Sequence, residues 1–111
     1  MAGMETTVAE HDGRMLARIE SDDRVFEVTF DAIEPTDVTL GFRRDDERVG
    51  SIYNDDGTDR IMARLTTARE GTDFIGVEVP EEFVAELLDA AAEVGRVTDE
   101  DALEGYRLRV L

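Results

Sequence analysis

One histidine, 28 acids and 12 arginines are the side chains that could carry chemistry in this sequence, and cysteine and lysine are absent. His11 stands beside Asp12 in a stretch, His11-Asp12-Gly13-Arg14, that reads as a tight turn. A general base needs a partner and a pocket, and a turn supplies neither, so His11 reads as an exposed turn residue. No Ser-His-Asp arrangement can be built around it. Without cysteine there are no disulfides, thiol nucleophiles or thiolate metal sites.

The stretch Asn54-Asp55-Asp56-Gly57-Thr58-Asp59 has the acid density of a calcium loop. Aligning Gly57 with that motif's glycine puts Ile52 at the first ligand position and Ala63 at the last, where carboxylates are required. A hairpin turn at Asp56-Gly57 accounts for the stretch instead. Phosphate loops are missing too: Gly41, Gly50, Gly71 and Gly76 stand singly. The one clear helix opens Pro80-Glu81-Glu82, which repels phosphate. Spacing picks no acid–base pair out of so many carboxylates. The expectation is therefore no catalytic residue, no metal and no cofactor.

The arginines are more informative. If the strands face as their alternation suggests, Arg14, Arg18, Arg43, Arg60, Arg64, Arg107 and Arg109 point outward from strands, while acids gather in turns and on the helix. Two readings follow. One is cross-strand ion pairing with Glu20, Glu27, Asp31, Asp37 and Glu78. The other is an anion- or partner-binding face, where bidentate arginines suit phosphate and Tyr53 or Tyr106 stacks on bases.

Composition sets the background. The formal charge of −16 on 111 residues, with all basic residues arginine, suits either a disordered chain or a folded one built for concentrated salt. Regular apolar alternation excludes the first. The acids at every turn and the abundant Ala and Val resemble proteins of salt-accumulating halophiles. No apolar run approaches the roughly 20 residues that span a bilayer. Met1 to Thr7 carries Glu5 and no basic residue, unlike a secretory signal. A cytoplasmic location is expected.

The elements that must position these residues are short strands. Strands are expected near Val8, over Arg14–Glu20 and over Arg24–Phe30, with Met15, Ala17, Ile19, Phe26, Val28 and Phe30 inward. Ala32 to Thr36 reads as a loop around Pro35. Asp37–Arg43 follows with Val38, Leu40 and Phe42 inward, and Arg44 to Glu47 as its turn. Arg48–Asn54 has ambiguous facing, because Val49/Tyr53 and Gly50/Ile52 compete. Arg60–Thr67 turns inward Ile61, Ala63 and Leu65. Asp73–Val79 does the same with Ile75, Val77 and Val79, with a turn at Glu70-Gly71-Thr72 between.

Next comes an amphipathic helix, with Phe83, Val84, Leu87, Leu88, Ala91 and Val94 within an arc of about 140°. Pro80 is expected in its first turn and a left-handed Gly95 at its end. Thr98 and Asp101 suggest one short helical turn ending at Gly105, and Tyr106, Leu108 and Val110 a final strand.

The fold class expected is α+β in a single domain, residues 1–111, whose first seven residues need not be ordered. It is a strongly curved antiparallel meander or partial barrel of about six to eight strands, with one helix as lid and a C-terminal strand. The function expected is a salt-adapted, non-enzymatic domain acting through protein–protein contact, with self-association through edge strands near Val8 and Tyr106–Leu111. The alternative is a nucleic-acid-binding regulator using the arginine face. A third reading is a small-ligand barrel.

Overall fold

Tight turns dictate the topology. Asp12 and Gly13 both take positive φ, 52° and 78°, in the two-residue turn that joins β1 (Met4–His11) to β2 (Arg14–Ser21). That left-handed pair matches the twist of antiparallel strands. The computed structural model describes residues 4–21, 24–36, 38–55, 60–65 and 77–111. The expected turns at 56–59 and 70–72, and inward Ile75, lie outside them.

Among these residues eight strands form two antiparallel meanders, and no closed barrel is found. The first sheet is β1, β2 and β3 (Arg24–Phe30) in that order. The second runs β4 (Ala32–Pro35), β5 (Thr39–Arg44), β6 (Glu47–Asp55), β7 (Arg60–Leu65) and β8 (Val77–Glu78). The inner faces meet through Phe42, whose ring lies 6.3 Å from that of Phe26 and 4.8 Å from that of Phe30. Phe26, Phe30, Leu40 and Leu87 share one buried core with Met15, Ile19, Ile33 and Ile52. Fully burying side chains of this size contributes about 1.5–3 kcal/mol each.

Helix α1 (Glu81–Glu93) forms as its spacing requires, burying Phe83, Val84, Leu87, Leu88 and Ala91. Pro80 is its N-cap rather than a member of its first turn, with its carbonyl accepting from the N–H of Phe83 and Val84. Gly95, at φ 73°, ends the helix and hands its N–H to the Ala92 carbonyl. Val94, expected on the buried stripe, is 44% exposed because it lies past the last turn.

Of four further points, three correct an expectation and one settles the open facing of Arg48–Asn54. The segment around Pro35 is strand β4; Pro35 sits at its end, on a sheet edge where a missing N–H is tolerated. Val38 is 42% exposed, because Thr36 donates to the Thr39 carbonyl in a turn that precedes β5. A bulge between β5 and β6 pairs Phe42 with Gly50 but Arg43 with Arg48, leaving Val49 extra and shifting the alternation by one. Gly50 and Ile52 therefore face the core.

The fourth is the final strand, which is helix α2 (Glu100–Val110). The Asp99 carboxylate caps it by accepting from the Ala102 N–H at 3.1 Å, and arginines in the last turn suit its dipole. Leu103, Tyr106 and Val110 fall on one helical face, whereas Leu108 is 87% exposed. Alternation at 106, 108 and 110 was thus a by-product of helical spacing. Gly105 costs about 1 kcal/mol relative to alanine without ending the helix. The lid is therefore two helices, not one.

Candidate functional site

The seven arginines divide among β2, β5, β7 and α2, so they do not share one set of strands. Arg14 reaches Asp31 at 3.0 Å and Asp45 at 2.7 Å. Arg18 donates to Glu27 at 2.8 Å, with Glu20 at 3.6 Å. That hydrogen bond to Glu27 pushes the Arg18 guanidinium further up, with Glu20 and Glu5 adding to it. Arg43 lies 3.8 Å from Glu34 and donates to the Asp46 carbonyl at 2.9 Å.

Arg60 is exposed at the start of β7, and Arg64 lies over the Tyr53 ring at 5.0 Å. Arg107 and Arg109, expected on a strand, are carried by α2, where Arg107 holds Asp89 at 2.7 Å. Arg48, absent from the expected set, crosses Gly41 to reach Glu34 at 3.1 Å. A side chain at 41 would meet that guanidinium, with Nε 2.7 Å from an added Cβ. Exposed pairs of this kind contribute about 0–1 kcal/mol each. The acids expected as partners at Glu20 and Glu27 hold Arg18, and Asp31 holds Arg14.

The turn at Asp45-Asp46 shows where part of this charge goes. Both residues take positive φ, 53° and 66°, with no glycine to ease it. Asp31 accepts the Asp45 N–H at 3.0 Å, while Arg14 and Arg43 hold the carboxylate of Asp45 and carbonyl of Asp46. Each left-handed residue costs about 1–2 kcal/mol, which these contacts offset.

His11 is exposed, with Nε2 3.4 Å from Asp12. Among the described residues no His, Asp and Glu cluster could hold a metal ion. Tyr106, weighed as a base-stacking residue, is instead fully buried on α2. Burial pushes its phenol up to about 12, and its hydroxyl has no hydrogen-bond partner. Tyr53 keeps a partly exposed ring under Arg64.

Strand β1 presents a different kind of chemistry. Its pairing with β2 runs unbroken from Met4↔Ser21 to His11↔Arg14, and among the described residues no strand lies on its other side. The two-residue turn makes His11 and Arg14 a hydrogen-bonded pair. Counting back, Ala9, Thr7 and Glu5 also direct N–H and C=O at β2. Those of Glu10, Val8 and Thr6 point to the open side. Beside this edge, Val8, Met15, Ala90 and Val94 floor a groove of about 160 Å³ rimmed by Glu10 and Glu93. Such an edge can do no acid–base work, but it can take another strand.

Strand β3, the other edge of that sheet, also has no described strand beyond it, but it lies against the second sheet and Arg44 donates to its Thr29 carbonyl at 3.4 Å. The β4 edge is closed. On the far side of β4, Ile33 donates to the Arg96 carbonyl at 2.9 Å and accepts from Thr98 at 2.9 Å, in a parallel bridge to Val97. Strand β8 is two residues long.

Neither family models nor curated proteins nor solved structures contain a significant match to this chain. Among the described residues no helix is long and apolar enough to cross a membrane.

Proposed function

We propose that this chain is a non-enzymatic, salt-adapted cytoplasmic domain that works through protein–protein contact, self-associating by its β1 edge. One observation carries the reading: eight residues in unbroken register, with neither proline nor bulge, and only one side of the ladder filled among the described residues. Edges of that length are normally blunted by proline, bulges or lysine, because they pair readily. The net charge of −16 supplies the condition. At low salt two such chains repel; at about 1 M the screening length is roughly 3 Å, and the edges can meet.

Sedimentation velocity over a concentration series tests this, at molar and at millimolar potassium chloride. The mass should rise above 12.4 kDa with concentration, and more so at molar salt. A monomer at every concentration and salt would contradict it. The nucleic-acid reading makes the opposite prediction. Phosphate binding through Arg43, Arg48, Arg60 and Arg64 on the second sheet would weaken as salt rises. Because Glu34 already engages two of those arginines, it stands second.

A further inference from the structure

Resting on that reading, we infer that β1 pairs antiparallel with β1 of a second copy across a two-fold axis at Val8, joining two three-stranded sheets into one of six strands. Three constraints select this alignment. The open side carries the N–H and C=O of Thr6, Val8 and Glu10, so hydrogen-bonded pairs must form between even-numbered residues. Val8 then exchanges both bonds with the second copy's Val8, and Thr6 with the second copy's Glu10.

The second constraint is charge. With the axis at Val8, Glu5 faces the second copy's His11, the one side chain on β1 able to carry positive charge, and no acid opposes another. An alignment offset by one residue puts Glu5 against Glu10 and turns the hydrogen-bonding groups away. Moving the axis to Ala9 sets Glu10 diagonal to its own copy. Moving it to Thr7 puts no described residue opposite His11 and gives Glu5 only Ala9.

The third constraint is burial. Val8 packs on its own core from the inner face, opposite Ala17. The chosen axis lays the two valines side by side there, next to the grooves that Val94 leaves exposed. Each copy carries a net charge of −16, so assembly strengthens with salt.

The absence of cysteine makes the test clean. Thr7 and Ala9 are exposed on the outer face and, with the axis at Val8, oppose each other as a non-hydrogen-bonded pair. Their Cα atoms would lie about 4.5 Å apart, within disulfide range. Thr7 would lie roughly 7–8 Å from its own copy, beyond that range.

Thr7→Cys and Ala9→Cys chains are oxidised separately and as an equal mixture in molar potassium chloride, with light scattering alongside. The expected result is disulfide-linked dimer in the mixture, at several times the yield of either chain alone. Thr7→Cys or Ala9→Cys linking best to itself overturns the axis while leaving β1 pairing. No link in any arm, with scattering still at twice the monomer mass, overturns β1 pairing and leaves self-association. Monomer throughout removes both.

Discussion

The two sheets of this domain treat their outer edges in opposite ways. At β4 the chain returns after α1 to lay Arg96–Thr98 along the strand, Pro35 withholds a donor, and α2 packs alongside. At β1 eight residues of similar backbone have no described strand on one side. Both are edges of antiparallel meanders on one core, so the difference lies not in local conformation. It lies in whether a described segment of the chain closes the edge. A closed edge contributes to stability, and an open edge is where a contact between chains can form.

Perturbing the closed edge should give the largest effects. Ile33 is fully buried and both its backbone groups bond to the returning segment. Ile33→Ala should lower the unfolding free energy by about 2–5 kcal/mol, read by denaturant titration in molar salt. A loss under 1 kcal/mol would mean that this edge needs no closing.

Tyr106 anchors α2, the helix beside β4. Its folded-state value, raised from 10.0 to about 12 by burial, lies above the unfolded value. The folded state therefore holds its proton longer. The stability it contributes is present below pH 10 and is lost as pH climbs from 10 to 12, on the order of 2 kcal/mol. Unfolding midpoints across that window should fall for the parent and change less for Tyr106→Phe. Equal slopes would show that the phenol is not buried as described.

Arg96 ties the closing segment to both sheets, donating to the Asp31 carbonyl at 3.1 Å and the Gly13 carbonyl at 2.8 Å. Arg96→Ala should cost about 1–2 kcal/mol, less than Ile33→Ala because the guanidinium is partly exposed. Its unfolding midpoint should fall between those of the parent and Ile33→Ala.

Much of this contrast can be read from the residues alone, and part cannot. The first three strands, the inward rows of β2 and β3, and α1 follow from alternation, spacing and caps that agree with one another. Misreadings came where a tertiary contact decided. Ala32–Pro35 becomes a strand because two neighbours donate and accept around it. Val49 is ambiguous because a bulge moves the phase within β6. The C-terminal segment satisfies both a two-residue and a helical period, and only the Asp99 cap and the face shared by Leu103 and Tyr106 choose between them.

Arg107 and Arg109 are expected on a strand and lie on helix α2, and Arg48 is absent from the expected set because the facing of Arg48–Asn54 is ambiguous from the sequence. An edge strand near Val8 is an expectation of the sequence, but the direction of its hydrogen bonds requires the turn geometry.

The most direct measurement uses that direction. Thr6→Pro removes an N–H that faces the open side, whereas Thr7→Pro removes one that bonds β2 and should cost about 1–3 kcal/mol. Light scattering in molar potassium chloride should give about twice 12.4 kDa for the parent and a folded monomer for Thr6→Pro. A parent that stays monomeric, or a Thr6→Pro chain that still dimerises as tightly, would contradict the open edge as the contact surface.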